Sequence, residues 1–268
     1  MPLSDPPLPL DTSLSDMKME APKRIKRADQ IVEAVKRWVV LNGKQPGDRL
    51  PNEKALMAQF DCAKGTVREA LKSLEVQGLV SIRTGPNGGA ILERVPYPKA
   101  SQLLRNFLHF EQLNGPDIYA LRSLVEPEIA ALATPHLTPQ DLAQLRALTE
   151  SCATPPEDFE TRLAQREAEL DFHALLAERC PNPLLAFMGR FITDLIRDLV
   201  MFKKSRLPEQ RDFSCANLMY HRQLITAFEA RDAQAARAEM AAHMASANRF
   251  NEELEVQFNQ HLLSPGTG

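Results

Sequence analysis

The stretch from residue 62 to residue 92 most constrains the fold of this chain, because its hydrophobic period changes within a few residues. Four apolar residues recur at helical spacing between Lys64 and Gln77, and Gly78 ends that helix. They are Val67, Ala70, Leu71 and Leu74. Two short alternating segments, LVSIR and AILE, then flank the turn-rich sequence TGPNGG. This order predicts a helix that leads directly into a β-hairpin.

Two further helices are predicted before this unit. Between Arg27 and Leu41 the apolar residues Ile31, Val35, Trp38 and Val39 mark one helix face, and the turn sequence QPGD follows. Asn52 is placed to cap a short second helix in NEKALMAQF. Helix, helix, turn, helix and hairpin is the order of a winged helix-turn-helix, a fold that inserts a recognition helix into the major groove of DNA.

Charge is distributed unevenly along the chain. Residues 18–99 contain 16 Lys and Arg against 9 Asp and Glu, a net charge of +7. Residues 100–268 contain 16 against 23, a net charge of −7. A basic module of this size is typical of proteins that bind a polyanion, most commonly a nucleic-acid backbone, although a solvated lysine-rich face explains the charge alone equally well.

The start of the third predicted helix has the residues that a recognition helix needs. Its N-terminal turns carry Lys64, Gly65, Thr66 and Arg68, which are small, polar or basic. Thr66 and Arg68 can reach base edges or phosphates, and Gly65 permits close approach of the backbone. Lys54, in the preceding helix, can contact a flanking phosphate and so fix the register on the duplex. We therefore predict a DNA interface at this end of the helix.

Composition divides the rest of the chain. Residues 1–20 are rich in proline and lack a helical period, which predicts a disordered tail. The winged helix-turn-helix is assigned to residues 21–93, and residues 94–100, with two prolines, to a linker. Residues 101–262 show helical periods broken by proline or glycine and predict an all-α bundle of six to seven helices. The predicted fold class is therefore mainly α.

Two further features concern location. No apolar run approaches the ~18 residues of a membrane span, and the N-terminus does not resemble a signal peptide. The four cysteines lie far apart without a C-x-x-C pair, so a disulfide framework is not indicated. We therefore expect a cytoplasmic protein with no membrane partner.

Three histidines in the acidic half could lie close together. His221 and His243 are 22 residues apart, with a helix break near Arg231 midway between them. In an antiparallel helix pair both would lie ~15 Å from the turn, at the same level. His173 has Glu169 one turn earlier on the same helix face. The set could bind Zn, Ni or Mn; histidines that only complete a polar core are the alternative.

The N-terminal residues resemble a known family. PGDRLPNEKALMAQFDCAKGTVREALKSLEVQGLVSIRTGPNGG is similar to the winged-helix domain of the GntR family of bacterial transcription regulators. The resemblance implies that Lys54, Lys64, Thr66, Arg68 and the wing residue Gly85 contact operator DNA. The family usually has arginine at the positions of Lys54 and Lys64. Because lysine lacks the bidentate fork of arginine, an altered operator preference is expected.

The acidic half resembles the FCD domain, the helical effector domain of one GntR subfamily. The similar segments are LRSLVEPEIAALA, ELDFHALLAERCPNPLL and YHRQLITAFEARDAQAARAEMAAHM. The resemblance implies a divalent metal held by Glu169, His173, His221 and His243, and a small carboxylate effector bound by Arg122 and Asn182. Two positions depart from the family pattern. Glu169 replaces the usual aspartate, and Pro181 replaces a glycine beside Asn182.

Together these observations predict a ligand-responsive transcription regulator rather than an enzyme. The expected form is a homodimer that represses a catabolic or transport operon and responds to a small organic acid. A metal-dependent hydrolase with an accessory basic domain is the alternative from another class; it accounts for the histidines but not for the winged module. A metal-free helical scaffold is the third possibility.

Overall fold

The computed structural model describes residues 26–85, 88–111, 113–203 and 211–263. The predicted disordered tail, residues 1–20, lies outside this range. The chain divides into two compact units, with the boundary between Leu104 and Arg105. Each unit has its own hydrophobic core.

The N-terminal unit is a winged helix-turn-helix, as the sequence predicted. Its three helices are α1 (Arg27–Leu41), α2 (Glu53–Phe60) and α3 (Lys64–Gln77). The hairpin consists of β1 (Val80–Arg83) and β2 (Gly89–Leu92), which pair antiparallel with Val80 opposite Leu92. The core lies between the three helices and the hairpin and contains Ile31, Leu56, Val67, Leu74 and Val80.

Local chemistry fixes the ends of the helices in this unit. The side chain of Asn52 accepts a hydrogen bond from the Ala55 N–H at 2.9 Å and so caps α2. The residues that follow α2 and α3, Asp61 and Gly78, have left-handed backbones (φ 44° and 82°). A left-handed backbone favours glycine, which explains why Gly78 ends the recognition helix. The positions of these helix ends are therefore set by short-range interactions.

The C-terminal unit is helical. Helix α4 (Tyr97–His109) crosses the boundary between the units and begins inside the segment predicted as a linker. The helices that follow are α5 (Gly115–Ala133), α6 (Pro139–Ser151), α7 (Phe159–Arg179), α8 (Pro183–Lys203), α9 (Arg211–Glu229) and α10 (Ala233–Leu263), with a short 3-10 helix at Thr134–His136. The described residues after Glu93 thus form seven α-helices, in agreement with the predicted bundle.

The bundle core joins α5, α6, α7, α9 and α10. Its fully buried side chains include Leu145, Phe172, Leu176, Phe228 and Met240. None of the described helices has an apolar stretch long enough to cross a membrane.

The start of α6 has a capping box. The side chain of Thr138 accepts a hydrogen bond from the Asp141 N–H, and the Asp141 carboxylate accepts one from the Thr138 N–H. Arg179 of α7 donates two hydrogen bonds to the same carboxylate, at 2.9 and 2.7 Å. This buried carboxylate therefore joins α6 to α7.

Candidate nucleic-acid interface and candidate metal centre

The N-terminal turns of α3 present the predicted DNA-binding side chains to solvent. Lys64, Gly65 and Arg68 are exposed and Thr66 is half-buried, whereas Val67 and Leu71 on the other face of the helix are buried. The side chains of Lys64 and Arg68 are 57% and 63% exposed. The recognition helix therefore separates a buried apolar face from a polar face that is available to a ligand.

One acid contacts both cations of this face. Glu53, the first residue of α2, accepts a hydrogen bond from Arg68 Nε at 3.0 Å. Its other carboxylate oxygen lies 3.6 Å from Lys64 Nζ. Sequence reasoning did not assign a role to Glu53, because its partners lie 11 and 15 residues further along the chain.

The two remaining predicted DNA contacts belong to the same unit. Lys54 is exposed on α2, next to Glu53. Gly85 is exposed in the hairpin loop with φ 104°, and no atom lies within 4 Å of the position that a Cβ would occupy. That backbone conformation favours glycine at this point of the wing. The neighbouring residues Pro86 and Asn87 lie outside the described residues.

Three histidines converge in the C-terminal unit. His173 lies on α7, His221 on α9 and His243 on α10, and each is almost fully buried. One ring nitrogen from each lies within 4.8 Å of those of the other two. The Nε2 atoms of His173 and His243 are 3.4 Å apart. Two nitrogens that ligate one tetrahedral zinc, each about 2.05 Å from it, are separated by about 3.4 Å, so this spacing fits a metal site.

The turn between α9 and α10 brings two of these histidines together. Helix α9 ends at Glu229, Arg231 adopts a left-handed backbone (φ 56°), and α10 begins at Ala233. His221 and His243 lie at nearly equal distances along the chain on either side of this turn. Because the rise per residue is the same in both helices, the two imidazoles reach the same level of the bundle.

A buried ion pair on α5 contacts His173. Arg122 and Glu126 of α5 form an ion pair in which Arg122 Nε donates to Glu126 Oε1 at 2.5 Å. The other oxygen of Glu126 contacts His173 Nδ1. Burial by itself raises the pKa of Glu126, but Arg122 and His173 lower it to about 2, so the carboxylate is ionised. It accepts the Nδ1 proton of a neutral His173, which leaves the Nε2 lone pair directed at the other histidines.

The electrostatics of the cluster keep the imidazoles neutral. Burial lowers the pKa of His173, and it lowers the pKa values of His221 and His243 well below their usual range. Neutral imidazole is the form that binds metal. His221 Nε2 and His243 Nδ1 are buried without a hydrogen-bond partner among the described residues. Unpartnered buried polar atoms are unfavourable; a bound ion would satisfy His221 Nε2, and a water would satisfy His243 Nδ1.

Glu169 is not part of this group of converging ligand atoms. Its carboxylate accepts a hydrogen bond from Arg166 Nη1 at 2.7 Å, within α7. It does, however, face the same cavity as His173 and His243. The sequence placed Glu169 on the correct helix face but did not anticipate that Arg166 would hold its carboxylate.

A cavity adjoins the histidine cluster. Its polar lining comprises Tyr119, Arg122, Arg166, Glu169, His173, Asn217 and His243. Burial alone lowers the pKa of Arg122, but Glu126 outweighs this effect and raises it, so the guanidinium in the cavity wall is charged. The cavity wall therefore holds a charged guanidinium, paired with Glu126, beside neutral imidazoles.

Asn182 lies outside the lining of this cavity. Its side-chain oxygen accepts hydrogen bonds from the N–H groups of Leu184 and Leu185, at 3.0 and 3.2 Å, and caps the first turn of α8. The residue is exposed. The predicted contact of Asn182 with an effector is therefore not supported by its position, because its acceptor is used by the helix that it begins.

Glu126 is the important site residue that sequence reasoning missed. It lies in the segment LVEPEIAALA, four residues after Arg122. An acid and a base at i, i+4 usually form a solvent-exposed pair on a helix. The apolar residues on both sides of Glu126 were the signal that this pair is buried.

Comparison with known proteins shows that each unit matches a known family model. The profile described as "Bacterial regulatory proteins, gntR family" matches residues 27–87, and that of the FCD domain matches residues 117–246. The chain is 32% identical to RmpR of Mycobacterium gastri over 162 residues, which is 60% of this chain and 58% of RmpR. It is 26% identical to the HTH-type transcriptional repressor NanR of Salmonella schwarzengrund over 239 residues, 83% of each chain.

A solved structure has the same fold. The structure of Streptococcus agalactiae GntR matches 83% of this chain and 99% of its own, with a TM-score of 0.53 and 22% sequence identity. The matching proteins are transcription regulators rather than enzymes, which agrees with the prediction that this chain is not a metallohydrolase.

Proposed function

Since this chain belongs to the GntR family of bacterial regulatory proteins and carries an FCD domain, we propose that it is a metal-dependent, effector-responsive repressor. The observation that carries the proposal is the convergence of three neutral, buried histidines beside a cavity with a charged arginine. We propose repression rather than activation because the relative NanR is a transcriptional repressor. DNA binding by the helix-turn-helix is the part of this function that the family establishes.

The proposed metal is Zn²⁺, with Ni²⁺ and Mn²⁺ as alternatives, and His173, His221 and His243 would hold it. Three histidines with a further position open to a ligand are a common zinc arrangement. The metal would supply a Lewis-acidic position at which a carboxylate can bind. Glu126, through its contact with His173 Nδ1, would fix the tautomer and raise the basicity of that ligand.

Glu169 is the proposed fourth protein ligand. In the structure its carboxylate is paired with Arg166, so ligation by Glu169 would exchange this partner for the metal. Both residues line the same cavity as His173 and His243. Glutamate is one methylene longer than the aspartate usual in the family, which gives it the reach for such a change.

The proposed effector is a small carboxylate. Arg122 faces the cavity and would bind the carboxylate, as arginine does through paired N–H donors. Tyr119 and Asn217 line the same cavity and offer further polar groups for an effector. An effector releases DNA only if it binds more tightly to the conformation that DNA disfavours.

We further propose that the regulator is a homodimer. Two recognition helices must contact half-sites about one turn of DNA, ~34 Å, apart. The C-terminal unit has large apolar side chains in solvent, among them Phe110 at 82% and Leu124 at 77% exposure, and a second copy of the chain would cover such residues.

Metal content is the decisive measurement for the ligand assignment. The full-length protein would be stripped with a chelator, reloaded with Zn²⁺, Ni²⁺ or Mn²⁺, desalted and analysed by elemental mass spectrometry. We expect about one metal per chain for the wild type and near zero for His221→Ala.

His221→Gln, which better preserves side-chain volume, should behave in the same way. The control is His136→Ala, which removes an exposed histidine of the same unit. Equal metal content in all these proteins would contradict the assignment.

DNA binding and effector response are tested together. Fluorescence anisotropy with the upstream DNA of the gene should give a Kd that weakens steeply with salt and a clear preference over random duplex. Small organic acids would then be screened by thermal shift on the metal-loaded protein, since a ligand of the folded state raises the Tm. A hit that leaves operator affinity unchanged would refute the proposed regulatory role of the cavity.

A further inference from the structure

Glu53 bridges the two cations that we assign to DNA contact. It begins α2, yet its carboxylate reaches Arg68 at 3.0 Å and Lys64 at 3.6 Å, both on α3. A single acid of the first helix of the helix-turn-helix thus restrains two basic side chains of the recognition helix.

The stability of the fold does not account for this arrangement. All three side chains are accessible to solvent: Glu53 is 35% exposed, and Lys64 and Arg68 are more than half exposed. Exposed ion pairs contribute only about 0–1 kcal/mol to stability. An acid at the first position of a helix also interacts well with the helix dipole, but that interaction does not require contact with α3.

The contact has opposite consequences for random and for specific DNA. On a random duplex the two cations need only reach the nearest phosphates, and Glu53 opposes this by restraining both side chains and by repelling the DNA with its own charge. A base-specific contact instead needs one defined direction. An arginine held through Nε can still present its two Nη groups, the pair that binds guanine O6 and N7. Restraining a long side chain before binding also reduces the entropy lost on binding.

We propose that Glu53 is a positioning residue that sets DNA specificity, by holding Arg68 and Lys64 in the direction of the base edges and by weakening their contacts with random phosphates. This inference rests on the proposed contacts of Lys64 and Arg68 with DNA. The expected signature is a change in the ratio of random to specific Kd, with little change in stability.

The experiment compares three substitutions of acidic residues in the full-length protein. Glu53→Gln removes the charge. Glu53→Asp keeps the charge and the helix-dipole interaction but withdraws the carboxylate by one methylene. Glu33→Gln is the matched control, because Glu33 is an acid of α1 in the same unit, also paired with a lysine, Lys36, at 2.9 Å. Both Gln variants change the net charge of the unit by the same amount.

The probes are the duplex that the wild type selects most strongly from a random-sequence library and a random duplex of equal length. For Glu53→Gln and Glu53→Asp we expect the ratio of random to selected Kd to fall about 3- to 10-fold, part of the discrimination provided by a bidentate base contact. For Glu33→Gln we expect both Kd values to move together and the ratio to stay at the wild-type value. Thermal unfolding should show equal Tm values within about 2 °C for all variants.

Each alternative outcome has a defined meaning. If Glu53→Gln matches Glu33→Gln, Glu53 acts only through net charge and the proposal is overturned. If Glu53→Asp matches the wild type while Glu53→Gln does not, the carboxylate charge suffices and positioning is overturned.

Arg68→Ala separates this inference from its premise: an unchanged ratio in Arg68→Ala means that the assigned DNA contact is wrong. A lowered ratio in Arg68→Ala with an unchanged ratio in Glu53→Gln refutes the role of Glu53 alone.

Discussion

Arg68 in the N-terminal unit and Arg122 in the C-terminal unit both pair with a glutamate, but the side chain of Arg68 is 63% exposed and that of Arg122 only 7%. Water screens the first pair, and each partner can leave the other at little cost. The second pair is removed from water, and Glu126 also contacts His173. The same two residue types therefore have different consequences in the two units.

This difference in exposure determines whether the loss of a pair changes DNA binding or the stability of the fold. An exposed pair can be exchanged for a phosphate or a base, so its loss should change DNA affinity more than folding. A buried pair cannot lose one partner without leaving an isolated charge in a medium of low polarity. Substitutions in the two units should therefore give effects of different kind and size.

The largest effect is expected from Glu126→Ala. Removal of this carboxylate leaves Arg122 charged and buried, which typically destabilises a protein by about 3–5 kcal/mol. Denaturant unfolding monitored by circular dichroism measures this change. Glu128→Ala is the control on the same helix, since Glu128 forms an exposed pair with Arg237 and should contribute about 0–1 kcal/mol. Similar losses for the two variants would contradict the distinction between buried and exposed pairs.

Asp141→Asn should have the next largest effect. The substitution removes a charged acceptor that caps α6 and binds Arg179 through two hydrogen bonds, and hydrogen bonds to charged groups contribute about 1.5–3 kcal/mol. Hydrogen bonds from Arg179 are the main cause that holds the pKa of Asp141 well below its usual range. Its contribution is therefore fully present above the unfolded-state pKa of about 3.9 and is lost as the pH falls through the lower folded-state value.

Unfolding of the wild type and Asp141→Asn at several pH values tests the sign of this effect. The difference in unfolding free energy should be constant between pH 5 and pH 8 and should shrink below about pH 4. A difference that grows on acidification would show that Asp141 does not titrate with a lowered pKa in the folded protein.

Arg68→Ala should affect DNA binding rather than folding. Loss of a base contact weakens binding to the selected duplex by about 1–3 kcal/mol, and binding to random duplex should change much less. Lys72→Ala is a suitable control, because Lys72 is an exposed cation further along α3 that pairs with Glu75. An equal effect of both substitutions on both duplexes would indicate that Arg68 contributes charge but no base reading.

The helices of the N-terminal unit could be predicted almost to the residue, because the residues that determine where they begin and end lie close together in the sequence. The pattern from Lys64 to Gln77, the stop at Gly78 and the cap at Asn52 each act within a few residues, and the structure places α2 and α3 accordingly. In the C-terminal unit the capping box at Thr138 is local in the same way.

The convergence of the three histidines was predicted in part, since the position of the turn fixed the levels of His221 and His243. The partners of each side chain were not predictable from the sequence. Glu126 contacts a histidine 47 residues away, and only packing of α5 against α7 determines that contact. Asn182 and Glu169 each have a nearer partner, in the first turn of α8 and in Arg166, that motif spacing does not reveal.

The smallest effect is expected from Lys54→Ala. This substitution tests whether an exposed lysine of the N-terminal unit contributes to DNA affinity without contributing to sequence preference. Lys54 is exposed on α2, and its predicted contact is a phosphate, which carries no sequence information. The substitution should weaken binding to the selected and the random duplex by the same factor. Loss of one phosphate contact should also reduce the slope of log Kd against log salt by about 0.9. Anisotropy titrations at four salt concentrations measure both quantities. A change in the ratio of the two Kd values would mean that Lys54 reads a base despite lacking the fork of arginine.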